Sequence, residues 1–172
     1  MPRAPSNPIA GIDHESLGLL TQRLVREHAR RLGTSADGDT VASDVRELVA
    51  YARDGSGLTA DAARSTLARV VPALYGCAAD ADDPPGPDHL ARLRGGAAAT
   101  GLDLALHLAW ARWRIASGQP VPASALVALG GYALGTGTAN RLVRAGELEA
   151  RRVGGDWEVE ARVAREWLAR RG

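Results

Sequence analysis

The side chains best suited to chemistry in this 172-residue chain are threonines, an asparagine and arginines gathered near its C-terminal end. Thr136, Thr138 and Asn140 come first, then Arg141 and Arg144, then the adjacent pair Arg151 and Arg152. Hydroxyls and amides hydrogen-bond to phosphates or to base edges, and the Asn amide matches the edge of adenine. Guanidinium groups add fixed positive charge and forked donors suited to phosphate. Two plainer roles compete: Thr and Asn also cap helices, and surface arginines are often only solvated charge.

Other chemistries find little support. His14, His28, His89 and His107 are not spaced as metal ligands, and Cys77 has no second cysteine to work with, so no metal site is expected. His28 and His107 fall within apolar stripes, which suits satisfied core or interface residues. Asp54-Gly55-Ser56-Gly57 superficially resembles a phosphate-cradling loop, but no Lys follows it and no strand precedes it, so an interhelical turn is expected. The chain has neither a nucleophile elbow nor a paired-carboxylate constellation. No catalytic residue and no cofactor are expected.

Composition narrows the class. Hydrophobic residues make up 45%, aromatics only 4%, and Phe is absent. A core of Leu, Val and Ala favours close helix packing over a β-sandwich. Lys is also absent, as codon bias in a GC-rich genome would produce, so Arg abundance alone carries little weight. The formal net charge of +1 excludes a strongly basic nucleic-acid coat protein. From Gly118 onward, eight Arg stand against six acidic residues, a mild positive bias that permits DNA binding there. The single cysteine, the lack of a signal-peptide pattern and the lack of a long apolar run together lead to an expectation of a soluble, cytoplasmic protein.

Periodicity supplies the elements that would position these side chains. Residues 1–12 read as a flexible tail. Asp13 can cap a helix whose stripe is Leu17, Leu20, Leu24, His28 and Leu32. A second helix is predicted over Val41–Arg53, and Thr59 can cap a third that bears Ala63, Leu67, Val70, Val71 and Leu74. Pro72 should kink that helix or end it. The acidic, proline-rich Ala78–Pro87 stretch reads as a linker. Asp88 can then cap a short helix, and a longer one is predicted over Leu102–Ser117. On that helix Trp110, Trp113 and Arg114 form a cluster suited to self-association, since Trp and Arg are enriched at interface hot spots. The plainer role of this cluster is a partly buried helix.

After Gly118-Gln119-Pro120 the pattern becomes mixed. Pro122 suits the first turn of a helix carrying Ala125, Leu126 and Leu129. A second short helix is predicted over Thr136–Arg144, with Ala139, Leu142 and Val143 facing inward. Leu148–Val153 and Asp156–Val159 alternate about Gly154-Gly155, the pattern of a two-stranded hairpin. Of Arg151 and Arg152, alternation should turn one away from the core. A closing helix over Ala161–Arg171 would bury Val163, Trp167 and Leu168.

The run from Asn140 to Leu148, then Arg151–Trp157, Val163 and Glu166-Trp167-Leu168, resembles the excisionase/MerR-like winged helix-turn-helix. The resemblance covers roughly the last 50 residues. It implies a recognition helix in the major groove and a hairpin wing on the backbone. The turn from Gly130 to Gly137 is longer and richer in glycine than usual, and the start of the recognition helix lacks a cation.

The expected architecture is therefore mainly α: a helical region over 13–117, suited to dimerisation or partner binding, followed by a winged helix-turn-helix over 118–172. The expected function is that of a non-catalytic protein binding double-stranded DNA, a transcriptional regulator or a phage- or plasmid-type accessory factor, working as a homodimer. The competing expectation is a protein-interaction or scaffold module whose winged helix no longer binds DNA.

Overall fold

The computed structural model describes residues 13–32, 37–76, 86–96 and 98–171. The expected 1–12 tail, Cys77, most of the Ala78–Pro87 linker and the side chain of His28 lie outside the described residues. The chain divides into two compact units, whose described parts are 13–110 and 111–171. The division falls inside a helix rather than after Ser117, because Ile115 belongs to the C-terminal core. Among the described residues there are eight helices and one small three-stranded antiparallel sheet near the C-terminal end, so the protein is mainly helical.

In the first unit, α1 (His14–Leu32), α2 (Gly38–Asp54) and α3 (Ala60–Tyr75) each pack against the other two. Leu17, Leu24 and Val25 on α1, Val45, Leu48 and Val49 on α2, and Leu67, Val70, Val71 and Leu74 on α3 are all buried. Where side chains are described these follow the predicted stripes, with Val25 added and Leu20 and Val41 only half-buried; the side chain of Leu32, like that of His28, lies outside the described residues. Asp13 accepts from the Glu15 N–H at 3.1 Å, and Thr59 Oγ1 accepts from the Ala62 N–H at 3.2 Å, so both expected caps form. The helix containing Pro72 continues to Tyr75, where Gly76 ends it with φ 65°. Burial of Val71, Leu74 and Tyr75 on either side of the proline outweighs the one ladder bond it removes.

Helix α4 (Pro87–Leu93) is capped by Gly86, with Pro87 at its first position. Asp88 lies two residues past the cap position and sits in the first turn, where its charge favours the helix dipole. Helix α5 (Gly101–Ala116) starts on a network that the sequence pattern did not reveal. Asp103 is 0% exposed and accepts from the Thr100 N–H at 2.7 Å, Thr100 Oγ1 at 3.0 Å, Arg94 Nη2 at 2.8 Å and the Tyr75 hydroxyl at 2.9 Å. The bond back to the residue preceding the helix is the acidic half of a capping box. The carboxylate in turn holds the Arg94 guanidinium above its ordinary pKa through their hydrogen bond. One buried anion thereby ties the end of α3 and the α4–α5 turn to the start of α5.

Farther along α5, His107 lies in the apolar stripe as expected, but it is not fully satisfied. It is 7% exposed, its Nδ1 has no hydrogen-bond partner among the described residues, and its ring tilts against Trp110 at 5.3 Å between centroids. Burial pushes its pKa down from 6.5 to about 4, with only the Asp88 charge opposing the shift.

In the second unit the order is β1 (Val121–Pro122), α6 (Ala123–Leu129), α7 (Thr136–Arg144), β2 (Arg151–Val153), β3 (Asp156–Val159) and α8 (Ala161–Ala169). The sheet order is β1-β3-β2, so the expected hairpin gains a third strand. Val121 pairs with Val159, and both are fully buried. Pro122 serves as the residue before α6 rather than as its first turn. Placed in an edge strand, it leaves no central ladder bond unmade. Ile115, Val121, Leu126, Val127, Leu142, Leu148, Val159, Val163 and Trp167 make the core of this unit.

Two outcomes follow. Asp103→Ala should cost about 3 kcal/mol, because it removes the carboxylate that faces the part-buried Arg94 charge and accepts from Thr100 and the Tyr75 hydroxyl; chemical denaturation of the variant checks this. The unfolded chain takes up the His107 proton near pH 6.5, whereas the folded chain resists it down to about pH 4. The stability tied to neutral His107 is thus fully present above pH 6.5 and lost as pH falls towards 4, roughly 3 kcal/mol in all. Denaturation curves at pH 7.5, 6 and 5 should show this loss in the native chain and a flatter profile in His107→Leu.

Candidate nucleic-acid interface

Five of the seven expected contact residues lie on α7. Ala139 and Leu142 anchor that helix in the core, 2% and 1% exposed. The rotation between them leaves Thr136, Arg141 and Arg144 exposed and Thr138 and Asn140 half-buried. Gly135 precedes the helix and offers no side-chain cap, so the first N–H groups of α7 are not closed off from within. Neither Thr138 nor Asn140 caps the helix in the way the plainer role required. Among the described residues, Arg141 and Arg144 have no carboxylate partner. The face therefore combines open N–H groups, hydroxyls, an amide and two uncompensated guanidinium groups.

The glycine-rich turn before α7 has a packing cause. Gly131 (φ 90°) donates to the Ala128 carbonyl, and the Tyr132 N–H donates to Val127, which closes α6 with a left-handed glycine cap. A Cβ on Gly130 would lie 2.5 Å from Trp167 Cζ3 and 2.7 Å from Cη2, so the Trp167 ring rests directly on the turn backbone. Arg171 stacks over Trp167 at 4.2 Å and over Tyr132 at 5.2 Å, and it hydrogen-bonds the Tyr132 hydroxyl. From α8, Arg165 also reaches the Ile115 carbonyl at 3.3 Å, satisfying the C-terminal end of α5. Trp167 is thus a core residue, as expected.

Arg151 and Arg152 flank a hairpin turn in which Gly154 and Gly155 both have positive φ, 58° and 106°, as a tight two-residue turn requires. Both arginines are exposed, although alternation led to the expectation of only one, because β2 is an edge strand with every residue exposed. The two point to different surroundings. Arg152 lies over the Trp157 ring at 5.4 Å, with Trp157 itself half-buried. Arg151 lies 3.7 Å from Glu158 and 3.4 Å from Glu160. These carboxylates had no place in the expected site. The Arg151–Glu158 pairing depends on strand register, which spacing along the chain does not give.

The expected self-association cluster is buried inside the chain. Trp110 and Trp113 are 4% and 3% exposed, so neither ring is available to a second copy, and Arg114 is half-buried. The aromatic-poor core uses these large rings for filling, which is the plainer role. Among the described residues, no group of His, Cys, Asp and Glu is arranged to hold a metal ion, and no helix is long and apolar enough to cross a membrane. Comparison with protein-family models, curated proteins and solved structures finds no match for this chain.

Gly130→Ala should force the Trp167 ring out of its seat and cost about 1–3 kcal/mol, as overpacking does. Gly135→Ala, with open space at its Cβ and an extended backbone, should cost far less. Denaturation midpoints of the two variants, with near-UV circular dichroism as the packing readout, check this.

Proposed function

We propose that the C-terminal unit is a winged helix-turn-helix of the excisionase/MerR-like kind that binds double-stranded DNA without catalysis, as a transcriptional regulator or a phage- or plasmid-type accessory factor would. The observation that carries this reading is the outer face of α7, where Thr136, Thr138, Asn140, Arg141 and Arg144 stand together on a helix held by its opposite face. The element order and the β1-β3-β2 sheet support it, since this arrangement presents the second helix of a helix-turn-helix beside a hairpin.

Arg141, Arg144 and Arg152 offer about three phosphate contacts, which gives modest affinity to a single copy and a salt slope near −2.7. Homodimerisation would raise the affinity by joining two such surfaces. A specific observation also favours the second reading, a protein-interaction module that has left DNA: the wing pairs Arg151 with two carboxylates instead of presenting it freely.

Fluorescence anisotropy with a random-sequence duplex decides between them. The expected result is binding at 50 mM salt that weakens about 40-fold by 200 mM, with Arg141→Ala and Arg144→Ala each flattening the slope by about 1. Absence of binding at 50 mM salt, with sedimentation showing a dimer, would sink the DNA reading and leave the interaction module.

A further inference from the structure

We infer that Glu158 and Glu160 withhold Arg151 from phosphate, so that the DNA-binding surface is α7 together with Arg152 and excludes the other face of the wing. This rests on the duplex-binding reading above.

Arg151 lies directly across from Glu158 in the β2–β3 ladder, so backbone pairing places their side chains on one face of the sheet. Glu160 follows immediately after β3 as the residue preceding α8, where the positive end of the helix favours its charge. One guanidinium therefore stands within ion-pair distance of two carboxylates, at 3.7 and 3.4 Å. The Glu158 side chain is only 28% exposed, so this charge is less screened than that of an ordinary surface residue.

The consequence for DNA follows from charge bookkeeping. A free arginine contributes to binding because it releases a condensed counterion from the duplex. Arg151 already has anionic partners within the protein. Moving it to a phosphate exchanges one anion for another and brings two uncompensated carboxylates towards the DNA backbone. Asp156, Glu158 and Glu160 outnumber Arg151 and Arg152 along this segment, so the hairpin as a whole is not an attractive field. Arg152 occupies the next position of β2, pointing to the opposite face of the ladder, and stacks on Trp157 instead of a carboxylate. Arg141 and Arg144 have no carboxylate partner among the described residues. The four expected arginine contacts thus separate into three available and one engaged.

The test uses the full chain and a random-sequence 20-base-pair duplex, titrated by anisotropy between 50 and 200 mM salt. Arg151→Ala should change affinity by less than about twofold and leave the salt slope in place, whereas Arg141→Ala flattens it by about 1. Glu158→Gln/Glu160→Gln should tighten binding several-fold and steepen the slope by about 1, because Arg151 is released to phosphate. Adding Arg151→Ala to that double variant should abolish the gain, which separates release of Arg151 from simple removal of repulsion. Equal losses for Arg151→Ala and Arg141→Ala, or an unchanged affinity in the double variant, would overturn the inference while leaving DNA binding intact. If the native chain does not bind but the double variant does, Arg151 is the dominant contact, and the surface assigned to α7 and Arg152 is overturned. If neither binds, both the duplex-binding reading and this inference fall.

Discussion

The Trp167 ring lies on the backbone of Gly130, in a gap that admits no Cβ, and this contact sets the geometry of the whole C-terminal unit. It joins the closing helix α8 to the turn that ends α6 and leads into α7. Arg171 and Tyr132 cover the ring, while Leu126, Leu142, Val159 and Val163 fill in beneath it. Because α7 has only nine residues, its direction is set by what it packs against more than by its own propensity. The glycines that look like an irregularity in the chain are therefore the condition for bringing a large ring close enough to hold the helix.

A comparable constraint operates in the other unit, in polar form. Asp103 is buried and fully engaged, and the groups that satisfy it come from three separate stretches of chain. Replacing water around a carboxylate demands several well-placed donors, and the arrangement that supplies them admits few alternatives. The same unit contains the opposite case in His107, whose Nδ1 has no partner among the described residues and whose pKa is pushed down by burial. One group fixes the local architecture, while the other makes it sensitive to acid.

The division of labour on the candidate interface has an electrostatic origin. Helix α7 turns two arginines outward with no carboxylate partner among the described residues, whereas the hairpin places one of its arginines across from an acid through strand pairing. Identical residue types thus stand in different electrostatic surroundings. The large aromatic side chains follow a similar logic: in a chain without Phe, Trp110 and Trp113 are drawn into the interior because few other residues can fill its larger gaps.

Much of the architecture could be read directly from the sequence. The apolar stripes of α1, α2 and α3, the Asp13 and Thr59 caps, the Gly154-Gly155 turn and the inward faces of α7 and α8 are local patterns, and periodicity and turn chemistry act over a few residues. The exposed residues of α7 were legible for the same reason, since burying Ala139 and Leu142 fixes the opposite face. The tertiary structure decided the rest. The two-residue strand β1 is too short to show a period and exists only because Val159 is there to pair with it. Thr100-x-x-Asp103 is a local capping-box spacing, but the further bonds of Asp103 to Arg94 and Tyr75 span separations that no local pattern encodes. The pairing of Arg151 with Glu158 and Glu160 depends on register and on the exit of β3 into α8. Sequence determines which side chains are available and which face of each element is apolar; only folding determines which charges meet, because that depends on distances between segments far apart in the chain.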